Sequence, residues 1–321
     1  MNGESIKKIE KLGVLPVLNV KKDEWTLPLA QALCDGGLPA IEVLARSDGA
    51  MERMQRIKQA HPEMEVGAGT ILTLAQAKTA IEAGADFIVS PGYDPQIVEL
   101  CLQSGVDVVP GCTSASEIQL AYSQGLRVMK FFPVEACGGL AAIRELTGPF
   151  PGVRYLPTGG ITLDTLGSYL ASPSIAACGG SFVAPKALLE REDFDAIRDI
   201  CRKARRIALG FSLAHVGVNH PNRAEAEKSA QRLCALLGLE PVAHSACVFA
   251  GSAVECNAFE GLGEKGHIGI RTSSMLRACA WLEEQGVPLR EEGRKYNAAG
   301  ELTCVYLQEE IAGFAVHIVQ A

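Results

Sequence analysis

Short apolar runs recur along residues 14–183, each closing on glycine, proline or a polar residue. They occupy 14–20, 40–45, 65–70, 87–92, 107–112, 128–133, 154–160 and 177–183, and their starts fall 20 to 26 residues apart. The stretches between them read as helices, for example 74–83 and 95–104. Eight strand–helix units predict an α/β fold, a closed parallel (β/α)8 TIM barrel. An open doubly wound sheet would carry an early glycine-rich dinucleotide turn, and none is present.

The pattern changes near residue 207. Arg202-Lys203-Ala204-Arg205-Arg206 runs into Gly210, and cations followed by glycine suit the end of a helix. Of six histidines, only His61 precedes residue 210. These features predict two domains, 1–207 and 211–321. In the second, 211–218, 241–249, 253–259, 266–271, 287–294, 303–307 and 313–319 read as strands. Residues 222–237 and 273–285 read as helices; the first aligns Ala226, Ala230, Leu233 and Leu237 on one face. The order amounts to two βαβββ modules in a smaller α+β domain.

A barrel concentrates its chemistry at the C-terminal ends of its strands. In the second run Glu42 stands among apolar residues, where a carboxylate is costly unless paired or functional. Strand alternation puts Glu42, Leu44 and Arg46 on one side, so the pair is either a structural ion pair or part of a site. In Gly67-Ala68-Gly69-Thr70 the glycines admit a close approach of ligand or neighbouring strand. In the sixth run Lys130 is flanked by Met129, Phe131 and Phe132. Burial disfavours an ammonium, and a neutral amine can attack a ketone to form a Schiff base. The plainer reading is a lysine whose stem is covered and whose ammonium reaches water. Gly159-Gly160 and Gly179-Gly180-Ser181 follow the last two strands, where barrels bind phosphate on loop N–H groups.

Composition narrows the function. A chain of 321 residues suits about two domains, and 48% hydrophobic with 21% charged residues supports packed cores. A net charge of −7 argues against general nucleic-acid binding. No run of 18 apolar residues suggests a membrane span. The N-terminus begins a charged amphipathic stretch rather than a signal peptide, and eleven cysteines are scattered singly without a CxxC pair. Together these predict reduced thiols in a cytoplasmic protein.

Glu42 with Arg46, Gly67-Ala68-Gly69-Thr70, Ser90-Pro91-Gly92, Pro110-Gly111, Lys130-Phe131-Phe132-Pro133, Pro157-Thr158-Gly159-Gly160-Ile161 and Gly179-Gly180-Ser181 stand in one order. Residues 5–207 thereby resemble the 2-keto-3-deoxy-6-phosphogluconate (KDPG) aldolases, which overlap with 4-hydroxy-2-oxoglutarate (KHG) aldolases. The resemblance implies a metal-independent class I aldolase barrel, usually a homotrimer, acting on a small keto acid. It implies that Lys130 forms the Schiff base and Glu42 is the general acid and base. Arg46 and Thr70 would bind the pyruvate carboxylate, with Pro91, Thr158 and Gly159 also at the substrate. Gly160, Gly179, Gly180 and Ser181 would hold the phosphate. Phe182-Val183-Ala184-Pro185-Lys186 departs from relatives that often carry tryptophan there, which leaves open the choice among KDPG, its C4 epimer and 4-hydroxy-2-oxoglutarate.

The second half resembles the glyoxalase, or vicinal-oxygen-chelate, superfamily, in which inner strands bind a divalent metal. The matching positions are His215, Glu255, His267 and His317, the last more often glutamate in relatives. Imidazoles with one carboxylate suit Zn²⁺, Ni²⁺, Fe²⁺ or Mn²⁺. A lone histidine on an apolar strand is more often simply packed, and His220 and His244 have weaker cases. The functions in view are therefore an aldolase, a bifunctional protein with separate metal chemistry, an aldolase carrying a non-catalytic module, and a phosphate-binding barrel isomerase. The last does not predict Lys130 together with Glu42.

Overall fold

The computed structural model describes residues 3–321; Met1 and Asn2 of the N-terminal stretch lie outside the described residues. The chain forms two compact units that divide between Ala208 and Leu209.

The first unit is a TIM-like parallel barrel. Its strands are β1 Val14–Leu18, β2 Ala40–Leu44, β3 Glu65–Gly69, β4 Phe87–Val89, β5 Asp107–Val109, β6 Val128–Phe131, β7 Arg154–Pro157 and β8 Cys178–Gly180. Six pair in the order β5-β4-β3-β2-β1-β8, and β6 pairs with β7. Bridges Gly111↔Lys130, Tyr155↔Ile175 and Thr158↔Gly179 complete the ring. β1 to β4 and β6 are buried at every residue, which is why their sequences read as near-continuous apolar runs, broken only by a single charge in β2, β3 and β6, rather than as alternation.

Each strand start matches its apolar run to within one residue, while the ends fall one to three residues short. Those last residues leave the ladder for the loops at the barrel mouth. Side-chain caps then restart the chain as helices. Thr73 with Gln76, and Ser114 with Glu117, form capping boxes, and Asp94 caps the helix opened by Pro95.

The second unit is one eight-stranded sheet backed by two helices. Its strands are β9 Ser212–Asn219, β10 Pro241–Ala243, β11 Cys247–Ala250, β12 Val254–Asn257, β13 His267–Thr272, β14 Lys295–Tyr296, β15 Leu302–Ile311 and β16 Phe314–Gln320, in the order β10-β11-β12-β9-β13-β16-β15-β14. The two halves repeat one topology. β9 runs parallel to β12, β13 runs parallel to β16, and β9 joins β13 antiparallel at the centre. Helix Arg223–Leu237 packs Ala226 and Ala230 on Val248 and Cys256. Helix Met275–Glu284 packs Met275 and Ala278 on Val305, Val316 and Ile318. Both helices therefore cover the face opposite Glu255, Phe249, His317 and Tyr306, since strand neighbours point to opposite sides.

Two expectations need correction here. Residues 241–249 are two strands, because the chain turns at His244 and pairs Val242 with Phe249. Residues 287–294 form no strand beyond the single bridge Leu289↔Leu307, and the edge strand is Lys295–Tyr296 instead.

Candidate active site and metal cluster

At the barrel mouth Lys130, on β6, and Glu42, on β2, meet across 88 residues of chain. Lys130 Nζ donates to Glu42 Oε1 at 3.1 Å, with side chains 6% and 0% exposed. Gly69 on β3 makes room for this carboxylate. A Cβ there would collide with Glu42 Oε1 and Cγ, so Gly69 serves the pair itself, whereas Gly67 makes room for the Phe87 ring. Glu42 Oε2 has no hydrogen-bond partner among the described residues, a desolvation cost of about 1–3 kcal/mol when neutral and more when charged.

One pocket gathers Lys130 with Arg46, Thr70, Pro91, Thr158, Gly159, Gly160, Gly180 and Ser181. Arg46 stands in the turn beyond β2 rather than on the strand, and its Nε donates to Thr70 Oγ1 at 3.1 Å. Thr70 holds φ 60°, a left-handed conformation that costs a non-glycine residue about 1–3 kcal/mol. Two of the expected positions stand back from the pocket wall. Glu42 lies behind Lys130. Gly179 lies beneath Thr158, whose Oγ1 occupies the space a Cβ would take. Val17, Leu44, Phe132 and Ile161 also line the pocket. Sequence reasoning passed over Phe132, although alternation already sets 132 on the same side as Lys130. Lys130 Nζ lies 5.6 Å from the Phe132 ring centre.

In the second unit the structure brings His215, His267 and His317 together as a set able to hold a metal, with Glu255 against His215 and His267. His215 Nε2 lies 3.1 Å from both His267 Nε2 and His317 Nε2 and 3.3 Å from Glu255 Oε2. His267 Nε2 lies 3.1 Å from the same carboxylate oxygen. A single ring hydrogen cannot serve three contacts. Metal bonds of about 2.1 Å would place neighbouring donors about 3.0 to 3.4 Å apart, which matches this spacing. Gly269 opens the cradle: a Cβ there would stand 2.6 Å from His215 Cε1 and 2.7 Å from His317 Nε2. Tyr306 stacks on the His317 ring at 4.7 Å, and Cys304 Sγ sits 3.3 Å from His317 Nδ1, which fixes the ring with Nε2 toward the cluster.

Burial and neighbouring groups shift three of these residues. Burial, aided by His267 and His215, pushes His317 down to about 3. Burial also lowers His215. Burial alone would raise Glu255, but hydrogen bonds from His267 and Cys247 and the nearby imidazole charges hold it at about 2. His220 and His244 do not join the cluster; His244 packs edge-on against Phe249.

A parallel barrel whose buried lysine–carboxylate pair opens on the mouth pocket fits the aldolase class of enzymes. Comparison with known proteins gives the particular family. Residues 5–200 match the family profile of KDPG and KHG aldolase, and the chain belongs to that family; it is a carbon–carbon lyase. A 2-dehydro-3-deoxy-phosphogluconate aldolase of Treponema pallidum is 41% identical over 199 residues, 62% of this chain and 95% of that protein. A KHG/KDPG aldolase of Escherichia coli is 40% identical over 191 residues, 60% of this chain and 90% of that protein. The crystal structure of KDPG aldolase from Legionella pneumophila, with pyruvate captured as a covalent carbinolamine, aligns with a TM-score of 0.60 and 32% identity. It covers 62% of this chain and 97% of that one.

Proposed function

We propose that the barrel cleaves 2-keto-3-deoxy-6-phosphogluconate to pyruvate and glyceraldehyde 3-phosphate, and 4-hydroxy-2-oxoglutarate to pyruvate and glyoxylate, through a Schiff base on Lys130. The observation that carries this reading is the buried Lys130–Glu42 contact opening on the mouth pocket. Glu42 takes a proton from Lys130, and the free amine adds to the C2 ketone to give a carbinolamine. Glu42 returns that proton to the carbinolamine hydroxyl, which departs as water and leaves a protonated imine with Glu42 again a carboxylate. Glu42 then accepts the C4 hydroxyl proton as the C3–C4 bond breaks. The bond's electron pair passes to the iminium, giving the enamine, and the aldehyde departs. Glu42 returns its proton to C3, and water releases pyruvate. Arg46 and Thr70 meet the carboxylate end of the substrate, and Gly160, Gly180 and Ser181 receive the phosphate. Two relatives support this division: pyruvate is held covalently in the Legionella enzyme, and a Zymomonas mobilis KDPG aldolase was solved with 3-phosphoglycerate. Borohydride reduction in the presence of pyruvate is expected to fix an adduct on Lys130, located by mass spectrometry and lost in Lys130→Ala. Folded protein with no lysine adduct would overturn the mechanism. The trimer implied by resemblance is read by sedimentation.

The cluster in the second unit favours a further reading, a metal-dependent module of vicinal-oxygen-chelate type. His215, Glu255, His267 and His317 would hold one divalent cation, which would act as a Lewis acid toward an oxygen ligand. Elemental analysis should find about one metal per chain in the parent and a loss in His267→Ala. Parent protein without metal after loading would overturn this reading and leave the unit a non-catalytic module.

A further inference from the structure

Beyond residue 207 the chain is acidic, with nine basic and thirteen acidic residues. Several of its cations are committed: Arg223 to Glu227, Lys228 to Glu225 and Arg294 to Glu291. Arg290 is bound to the carbonyls of Leu307 and Gln308. Arg271 and Lys295 are exposed, and among the described residues neither side chain enters an ion pair or hydrogen bond.

Strand register sets both on the face of the metal cluster. Along β13, His267, Gly269 and Arg271 share that face, whereas Ile270 turns to the helix side. Gly269 pairs with His317 and Arg271 with Val319 on β16. Val319 pairs with Cys304, and Tyr306 with His317. Cys304 pairs with Lys295. The row next to the ligands thus carries a cation at each end, with Val319 and Cys304 between. Residues two apart on a strand lie about 6.6 Å apart, which sets Arg271 beside the cluster, while Lys295, two strands beyond His317 at about 4.8 Å per strand, adds its charge from the rim. On the other side, Phe249 stacks edge-on against His215 at 5.8 Å, so the two flanks differ in charge.

The cluster is also approachable. Both helices lie on the opposite face, and the His215 and Glu255 side chains retain 14% and 19% exposure. A divalent cation held by three neutral imidazoles and one carboxylate keeps one positive charge in excess, and Arg271 and Lys295 add two more.

We propose that this centre binds a small oxyanion, a carboxylate- or phosphate-bearing molecule. One of its oxygens meets the metal, and Arg271 and Lys295 receive its charge. The proposal rests on the metal reading above and assigns its substrate class.

The test uses the full chain loaded with Co²⁺ and the visible absorption of the cobalt. Absorption reports on the metal alone, whereas bulk binding would also count anions taken up by Arg46 and Thr70 of the barrel. Oxalate is added in one arm and inorganic phosphate in another. The expected result is a saturable spectral change with at least one probe. A response to oxalate alone names a carboxylate, and a response to phosphate alone names a phosphate group. Arg271→Gln and Lys295→Gln should each keep the cobalt spectrum and weaken the probe by roughly tenfold. Cobalt bands that neither probe alters, or variants that bind the probes as the parent does, would overturn the inference while leaving the metal reading in place. Absence of cobalt bands before any anion is added would overturn both.

Discussion

Glu42 shows how much one residue in an apolar run can carry. It is fully buried, one oxygen accepts from Lys130, and the other has no partner among the described residues. A buried ion pair is weak evidence of stability, but removing one partner strands the other and costs about 3–5 kcal/mol. Lys130→Ala should therefore destabilise the barrel by that amount in denaturant titration, and Glu42→Leu/Lys130→Met should recover most of it. A double variant no more stable than Lys130→Ala would show that packing, not charge, sets the loss. The proton transfers assigned to Glu42 predict a separate result. Glu42→Gln keeps the shape and the contact with Lys130 but cannot accept a proton. Its kcat should fall about 10²- to 10⁴-fold with the fold retained, and a fall of less than tenfold would remove Glu42 from the chemistry.

At the scale of elements, both sites depend on glycine inside a strand. Gly69 leaves room for Glu42, and Gly269 for His215 and His317. Alanine fits a strand backbone, so Gly269→Ala tests the cradle rather than the sheet. It should weaken Co²⁺ or Zn²⁺ binding at least tenfold in equilibrium dialysis, with circular dichroism unchanged; unchanged affinity would show that the rings move aside at little cost. Strand starts and chemistry-bearing residues were legible in the sequence because burial writes apolar runs and a charge inside one stands out. Strand ends were not. At the barrel mouth residues 70, 159 and 160 keep the small character of the strand while leaving the ladder to line the pocket. The hairpin at His244 was hidden for a similar reason: 241–249 lacks the Asn-Gly or Asp-Gly that marks a two-residue turn. Lys295–Tyr296 was missed because so short and exposed an edge strand carries no periodicity. Phe132 escaped notice because its neighbour Phe131 is an ordinary core residue, and only alternation separates them.

Across the whole molecule, the two units have separate hydrophobic clusters, and their proposed chemistries need different things. The lysine mechanism uses no metal, whereas the second site has no function without one. A metal held only by the folded cluster would stabilise it by mass action: free metal at a hundred times its dissociation constant would add about 2.7 kcal/mol. For a unit of this size that raises the unfolding midpoint by several degrees. Scanning calorimetry of the full chain should show a transition that moves upward with added Zn²⁺ and returns with chelator. The transition of the barrel, identified by its upward shift with pyruvate and borohydride, should stay in place. Cleavage of the keto acid should likewise survive chelation. If the chelator abolished cleavage, the barrel would not be the metal-independent lysine enzyme argued above. If metal moved both transitions equally, its effect would not be confined to the His215 cluster. A single metal-dependent transition with unaltered cleavage would locate the metal in the second unit and the carbon–carbon chemistry in the first.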